Sequence, residues 1–257
     1  MTMNMPEAIR DDKPAHQTFR DAARGPGGEP APAPVSAPVS GRVKYPRTPH
    51  LPWSPGLGDD DRRIESLEAF HGRRVIVTSK MDGENSSLYR TGMHARSLDS
   101  RHHPSRDWLK GFWGAIRADI PEHWRVCGEN LFATHTIPYR DLASFFLGFS
   151  IWNGENLCLG WDETLEWFAL LGIEPVPLLY DGVFDAAAIR SLWRESQREQ
   201  AEGYVVRLAG EIPYAEFRRC VAKFVRSGHV QTGEHWMHNH AFAQNHMRQR
   251  QGDSRWR

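Results

Sequence analysis

The feature that most constrains the fold is a strand-like segment that ends in a charged residue. Residues 74–78 read Arg-Val-Ile-Val-Thr, and this β-branched apolar run predicts a buried strand. Lys80 follows it, and Asp82-Gly83 predicts a turn before a second strand candidate at 85–89. Because charged residues are rarely buried without a partner, a lysine here predicts a covalent nucleophile for a phosphate. The plainer alternative is a hairpin whose lysine faces solvent.

Composition limits the class of protein. The 257 residues predict one domain of ordinary size with a tail, and a hydrophobic fraction of 40% is enough for a core. No apolar run approaches the roughly 18 residues that span a membrane, and no secretory signal is visible, so we expect no membrane partner. Cys127, Cys158 and Cys220 are far apart, which predicts reduced thiols in a cytoplasmic protein.

The charge balance bears on nucleic-acid binding. Lys+Arg and Asp+Glu each total 32, which gives a formal net charge of zero. A protein that grips a long nucleic acid without sequence preference is usually basic. The balance therefore argues against an extended groove, although local basic clusters could still recognise one strand end.

The chain divides into three predicted segments. Residues 1–40 predict a disordered Pro/Ala-rich tail, 41–228 a folded domain, and 229–257 a His/Arg-rich C-terminal extension. Further strand candidates are residues 124–132, 145–152, 203–208 and 220–225. Helix candidates are residues 104–120, a helix capped by Asp162 and stopped by Gly172, and a helix beginning at Asp185. Irregular alternation of the two types predicts an α+β fold with mainly antiparallel sheets and flanking helices.

The later strand candidates each carry one charged residue. Glu129 lies within an apolar strand, Glu202 lies at a strand start, and Lys223 lies inside the strand at 220–225. Since buried charges are usually paired, these residues and Lys80 predict a shared polar cleft. The plainer alternative for the two glutamates is a structural ion pair with a surface arginine.

These motifs, in this order, resemble those of the covalent nucleotidyltransferase superfamily of polynucleotide ligases and capping enzymes. They look closest to the ATP-dependent RNA ligase family of phage and RNA-editing type. The resemblance spans residues 43–226 and rests on five motifs, which together are far more specific than any one of them. It implies an ATP-grasp-like nucleotidyltransferase (adenylyltransferase) domain.

The resemblance also implies roles for residues near the nucleotide. Lys80 matches the lysine that attacks the α-phosphate of ATP and holds AMP. Asp82 and Gly83 complete that motif, and Asn85 matches an asparagine of the RNA-ligase branch. Lys223 matches the lysine that binds the α-phosphate.

Four further roles follow from the same resemblance. Glu129 matches the glutamate that binds the ribose, and Phe149 the aromatic residue that stacks on adenine. Glu202 matches the glutamate beside the lysine and the metal. Arg96 matches an arginine that contacts phosphate or the nucleic-acid end. The plainer alternatives are a core position for Phe149 and a surface charge for Arg96.

Two positions depart from the family pattern. Ser150 follows Phe149 where the family often has aspartate, and Val225 stands where a second lysine is common. Arg226 follows Val225, but in a regular strand its side chain leaves the opposite face.

The chemistry of the predicted site is self-consistent. An attacking lysine must be neutral, yet its reference pKa is about 10.4, and neighbouring carboxylates raise it further. A divalent cation held by Glu202, together with the Lys223 ammonium, would lower the Lys80 pKa. Mg²⁺ suits this task because it binds oxygen ligands and phosphates, and Mn²⁺ is an alternative.

The sequence therefore predicts an ATP-dependent RNA ligase for RNA repair, which seals 5′-phosphate and 3′-hydroxyl RNA ends through lysyl-AMP. The alternatives are a DNA nick ligase, a GTP-using capping enzyme and an inactive nucleic-acid-binding relative. The segment after the last motif is shorter than the usual domain minimum of about 50 residues. RNA binding must then come from the tail, the ligase domain, or a partner protein that binds RNA or processes its ends.

The C-terminal histidines form a separate group. They are His229, His235, His238, His240 and His246, and His102-His103 form a further pair. Without cysteines or carboxylates at ligand spacing, zinc binding is not favoured. Stacking of histidine and tryptophan on unpaired bases, next to Arg248 and other arginines, favours an RNA-facing role.

Overall fold

The fold is built from two β-sheets that receive consecutive strands of the chain. A computed structural model of the protein describes residues 41–58, 61–194, 199–228 and 242–248. All of them belong to one unit, Ala37–Arg257. A second unit, Met1–Ser36, lies outside the described residues. The predicted tail at 1–40 lies outside them as well, as does most of the predicted extension at 229–257.

Eleven strands and four α-helices make up the described part of the chain. The strands are β1 (Arg74–Lys80), β2 (Glu84–Tyr89), β3 (Gly92–Ala95), β4 (Arg125–Asn130), β5 (Phe146–Trp152), β6 (Leu157–Cys158), β7 (Glu174–Pro175), β8 (Leu178–Val183), β9 (Gly203–Leu208), β10 (Ile212–Pro213) and β11 (Val221–Val225). The helices are α1 (Asp107–Ile116), α2 (Trp161–Leu171), α3 (Ala186–Ser191) and α4 (Phe217–Cys220). Short 3₁₀ helices cover Glu68–Phe70, Pro104–Arg106 and Tyr214–Glu216.

Antiparallel pairing dominates both sheets, as the α+β prediction requires. The four-stranded sheet has the order β11-β9-β1-β8, and all its pairs are antiparallel. The seven-stranded sheet has the order β10-β6-β5-β4-β2-β3, with β7 parallel to β5. The predicted fold class is therefore confirmed.

The hairpin considered as the plainer alternative at Lys80 is wrong, because β1 and β2 lie in different sheets. The edges of β1 are occupied by β8 on one side and β9 on the other, so no edge remains for β2. Val75 and Val77 belong to one buried apolar cluster and Ile76 to another, as expected for a central strand covered on both faces. Lys80 therefore ends one sheet just before the chain enters the other.

The crossing between the sheets depends on Gly83. A Cβ atom there would lie 2.6 Å from the Asn130 carbonyl oxygen and 2.7 Å from Leu131 Cδ2. Only glycine permits this close approach of the turn to the end of β4 without displacement of its neighbours. The turn predicted at Asp82-Gly83 thus connects two sheets rather than two paired strands.

The helix predictions hold in part. The helix predicted at 104–120 has a 3₁₀ start and ends at Ile116. Asp162 is not the cap of α2, because Gly160 occupies that position and the exposed Asp162 carboxylate accepts a 2.6 Å bond from Arg74 Nη1. The predicted stop at Gly172 is confirmed, with a left-handed φ of 65°.

The cap of α3 agrees with the sequence. Asp185 Oδ1 accepts from the backbone nitrogens of Ala187 (2.8 Å) and Ala188 (3.0 Å), which satisfies two otherwise unpaired donors of the helix start. Within the ranges given above, no helix is both long enough and apolar enough to cross a membrane.

Candidate active site

A cavity of about 780 Å³ is lined by residues of both sheets. All nine predicted site residues line it. They are Lys80, Asp82, Gly83, Asn85, Arg96, Glu129, Phe149, Glu202 and Lys223. The fold therefore brings together side chains from β1, β2, β4, β5, β9, β11 and the connections between them, as the predicted shared cleft requires.

Lys80 is held against Glu202 by the pairing of β1 with β9. Lys80 lies opposite Gly203 in that pairing, and the Glu202 amide donates to the Lys80 carbonyl at 3.0 Å. The side chains meet as well, since Lys80 Nζ donates to Glu202 Oε1 at 2.5 Å. Glu202 is buried, whereas 23% of the Lys80 side chain is exposed to the cavity. The amine is thus paired and accessible.

The charges around Lys80 favour its protonated form. Burial lowers the pKa of Lys80, but Glu202 and Glu129 act in the opposite direction, with a smaller effect from Asp82. The net result is a raised pKa, so in the free protein the amine is an ammonium ion. Nucleophilic attack therefore requires bound groups that supply positive charge, as expected from the sequence.

Glu129 lies beside Asn85 in the β2–β4 pairing, facing the same cavity. Burial raises the pKa of Glu129 to about 8; Lys80 lowers it and Glu202 raises it further. A carboxyl group with this pKa is largely protonated at neutral pH. Asn85 Oδ1 is buried and, among the described residues, has no hydrogen-bond partner. Such an orphaned acceptor fits a site that takes a ligand carrying hydrogen-bond donors.

Lys223 is paired with a residue that sequence reasoning missed. Its Nζ donates to Asp61 Oδ1 at 3.1 Å, and Asp61 Oδ2 lies 3.0 Å from the buried His50 Nε2. Burial and then the nearby Lys80 lower the pKa of Lys223, while Asp61 opposes that change. Asp61 follows two other aspartates, and no signal in the sequence separates it from them.

Asp82 points its carboxylate at a loop rather than at β9. Its Oδ2 accepts from the backbone nitrogens of Thr136 and Ile137, both at 2.8 Å. Its own backbone nitrogen donates to the Tyr139 hydroxyl at 2.9 Å. Asp82 thus anchors the turn that follows Lys80.

A buried ion pair lies beside the same turn. Glu84, which opens β2, accepts from Arg106 Nε at 2.7 Å and also from Arg106 Nη2. Both residues are buried and both line the cavity. Sequence reasoning did not assign either residue, because an arginine 22 positions away gives no local pattern.

Phe149 and the positions that differ from the family pattern lie in or beside the cavity-lining strands β5 and β11. Phe149 is half-buried, lines the cavity and makes an edge contact with Tyr45, with ring centroids 5.2 Å apart. Ser150 is buried and its hydroxyl lies 3.2 Å from Trp152 Nε1, which donates to it. Arg226 is not among the described residues that line the cavity, in agreement with the expected orientation away from it.

Arg96, His102 and His103 also line the cavity. Arg96 and His102 are exposed, whereas His103 is buried. In the described ranges, no group of three or more histidines, cysteines or carboxylates is arranged to hold a metal ion. Of the C-terminal histidines only His246 is described, so the prediction for the others lies outside these ranges. Arg248, predicted to face RNA, pairs with Asp141.

These features are those of a nucleotidyltransferase fold: two sheets, a cavity lined by residues of both, and a lysine at the end of a central strand. The sequence profile of the RNA ligase family matches residues 73–225, which is more than half of the chain. The chain belongs to the RNA ligase family.

Solved structures with this fold include an archaeal ATP-dependent RNA ligase. Its form 1 has a TM-score of 0.51 and 17% sequence identity, and covers 72% of this chain and 48% of its own. Its form 2 has a TM-score of 0.50, 16% identity and the same coverage. A protein from Aquifex aeolicus, described as a candidate ATP-dependent DNA ligase, has a TM-score of 0.50 and 18% identity, and covers 72% of this chain and 50% of its own.

The sequence identity and the coverage limit what these structural similarities show. At such identities they establish the fold alone, and the fold occurs in a protein described as a DNA ligase as well as in RNA ligases. The chain spans about half the length of the solved structures it matches. No curated protein sequence matches it.

Proposed function

We propose that this protein is an ATP-dependent RNA ligase that works through a covalent lysyl-AMP intermediate on Lys80. The observation that carries the proposal is the Lys80–Glu202 pair, 2.5 Å between Nζ and Oε1, inside the cavity of an RNA ligase family domain. A paired amine that stays accessible to a cavity of this size suits attack on a bound nucleotide.

In the first step, the neutral amine of Lys80 attacks the α-phosphorus of ATP. A P–N bond forms, the bond to the bridging oxygen breaks, and pyrophosphate leaves with that electron pair. The ammonium ion must lose one proton before attack and the nitrogen a second after the P–N bond forms; Glu202 Oε1, which accepts the Lys80 hydrogen bond, is proposed to take each proton and pass it to solvent. Lys223, whose pKa is lowered but which retains a carboxylate partner, is proposed to bind the α-phosphate and stabilise its developing charge.

The remaining residues are proposed to bind and orient the nucleotide. Glu129, protonated at neutral pH, could donate to a ribose oxygen, and the orphaned Asn85 Oδ1 could accept from a nucleotide donor. Phe149 is proposed to stack on adenine, and Arg96 to contact phosphate at the RNA end.

A divalent metal fits this site only in combination with the substrate. With Glu202 as the proposed carboxylate ligand and no protein cage in the described ranges, the site suits Mg²⁺, or Mn²⁺ in its place, which takes its other ligands from phosphates and water. The bound ion would supply positive charge next to Lys80 and lower its pKa.

Two further steps complete the proposed reaction. AMP passes from Lys80 to the 5′-phosphate of an RNA end, and the 3′-hydroxyl of a second end then attacks that phosphate and releases AMP. The product is a sealed phosphodiester bond, so the proposed biological role is RNA repair. The three free, buried cysteines agree with a reducing compartment such as the cytoplasm.

The proposal is tested by incubation with α-labelled ATP and Mg²⁺. We expect one covalent label per chain, absent from Lys80→Ala and unchanged in Lys110→Ala, because Lys110 is a half-exposed lysine that pairs only with Asp107 in the described contacts. No label on the wild-type protein, or a label that survives Lys80→Ala, would overturn the proposal.

A DNA nick ligase is the second candidate, favoured by the shared fold with the Aquifex aeolicus protein. Sealing assays on nicked duplex RNA, single-stranded RNA and nicked DNA separate the two functions. We expect sealing of RNA ends, and preferential sealing of nicked DNA would favour the second candidate. Labelling by GTP but not ATP would favour a capping-type enzyme instead.

A further inference from the structure

A short segment beyond the family match is paired to the loop that holds Asp82. Residues 242–248 lie after the matched range of 73–225. The Ala243 carbonyl accepts from Thr134 N at 2.7 Å, and the Asn245 amide donates to the Phe132 carbonyl at 3.1 Å. His246 N donates to the Tyr139 carbonyl at 2.9 Å. The segment thus follows the loop at 131–142 along most of its length.

Asn245 is the most tightly bound residue of this segment. Its side chain is 1% exposed, so its amide groups depend on protein partners. Its Nδ2 donates to the carbonyls of Leu131 (2.8 Å) and Ala133 (3.3 Å). Its Oδ1 accepts from Thr134 Oγ1 and from Tyr139 N, both at 2.8 Å. These four bonds use the full capacity of the amide.

The same loop also binds Asp82, close in sequence to the proposed nucleophile. Its Thr136 and Ile137 amides bind the Asp82 carboxylate, and its Tyr139 hydroxyl accepts from the Asp82 backbone. Asp82 lies two residues after Lys80. A continuous set of hydrogen bonds therefore runs from Asn245 through the loop to Asp82.

We infer that Asn245 is a positioning residue for Lys80, acting through the 131–142 loop and Asp82. This inference rests on the proposed function. The loop holds the backbone of the turn through the Tyr139 hydroxyl and orients the Asp82 carboxylate through two amides. Asp82 is also one of the carboxylates that raise the Lys80 pKa. If the loop is released, the turn after Lys80 loses three hydrogen bonds, and the amine loses its alignment with the α-phosphorus. Misplacement of a reacting group by about 1 Å can cost about 100-fold in rate.

The test compares Asn245→Ala with Gln244→Ala in the full chain. Gln244 lies in the same segment, is exposed, and makes no side-chain hydrogen bond to the described residues, so its loss should leave the rate unchanged. For Asn245→Ala we expect transfer of AMP to the protein in a single turnover to slow about tenfold or more, with ATP affinity changed less than about threefold. Faster hydrogen exchange of the Thr136 and Ile137 amides should accompany it. A wild-type rate would overturn the inference.

A double-mutant cycle excludes a merely structural role. If Asn245 acts through Asp82, then Asn245→Ala should slow transfer much less in an Asp82→Ala background than in the wild-type background. If Asn245→Ala slows transfer by the same factor in both backgrounds, the inference is overturned. If Asn245→Ala does not fold, Thr134→Val, which removes one of the four bonds, should slow transfer about threefold, and an unchanged rate would overturn the inference.

The proposed function is tested separately by the same experiment. Labelling of the wild-type protein is the internal control. Absence of that label rejects the proposed function, whereas a normal label on both the wild-type protein and Asn245→Ala rejects only the positioning role.

Discussion

Lys80 and Lys223 line the same cavity, are each paired with one carboxylate, and yet have pKa values shifted in opposite directions. Burial lowers the pKa of both, but Glu202 and Glu129 outweigh it at Lys80. At Lys223, the charge of Lys80 adds to burial, and Asp61 does not offset them. Each lysine has one carboxylate partner, so the opposite pKa shifts come from the more distant charges around each of them.

The largest expected effect separates the two lysines by chemistry. Lys80→Arg keeps the positive charge but cannot lose a proton, so we expect covalent labelling by ATP to fall by about 1,000-fold or more. Lys223→Arg keeps the positive charge proposed to bind the α-phosphate but changes the shape of a buried side chain, so we expect a smaller loss of about tenfold. Label incorporation over time measures both. Equal losses of labelling in the two variants would contradict the proposed roles, in which only Lys80 must lose a proton.

A smaller effect is expected from the partner of Lys223. Asp61→Asn removes the charge that pairs with a buried ammonium, so we expect the free energy of unfolding to fall by about 2 kcal/mol and labelling to slow about tenfold. Denaturant unfolding and the labelling rate provide the measurements. The matched control is Asp162→Asn, which breaks an exposed pair with Arg74 and should cost less than about 1 kcal/mol.

The smallest effect concerns pH and Glu129. The pKa of this carboxyl rises from an ordinary 4.5 to about 8 on folding. Between these values the unfolded chain releases its proton while the folded protein keeps it, so this group makes stability fall as pH rises from 4.5 to 8. Glu129→Gln should therefore stabilise the protein at pH 8, where the unfolded chain has lost the proton, and have little effect at pH 4. Thermal unfolding at both values is the measurement, and equal effects at the two pH values would contradict the shifted pKa.

Much of the site could be predicted because its residues carry strand-borne charges in a fixed order. Lys80, Glu129, Glu202 and Lys223 interrupt apolar runs, and such interruptions are visible without a structure. In the structure all four line one cavity. Their individual roles stay predictions.

The pairing of strands could not be predicted from local pattern. A turn at Asp82-Gly83 between two strand-like runs is the ordinary signal of a hairpin. Here β1 and β2 do not pair, because β8 and β9, which lie about a hundred residues later, occupy both edges of β1. The sequence of β8 did not predict a strand. As the edge of its sheet it leaves Leu178 and Val183 exposed, so it lacks the alternation that marks a half-buried strand.

The supporting residues were missed for a similar reason. Asp61 and Asn245 have ordinary polar neighbours in the sequence, and their importance comes only from partners 162 and 106 positions away. Contacts at such separations follow from the completed fold, whereas strand and helix signals follow from a few consecutive residues.

The crossing of the chain between sheets at Lys80 has a consequence for biosynthesis. The partner carboxylate of Lys80 is 122 positions further along the chain, so the cleft cannot close until β9 and β11 have emerged from the ribosome and paired. A nascent chain that carries Lys80 alone lacks the cavity that is proposed to hold the nucleotide. Self-labelling would then report that synthesis of both sheets is finished, and an incomplete chain would not consume nucleotide.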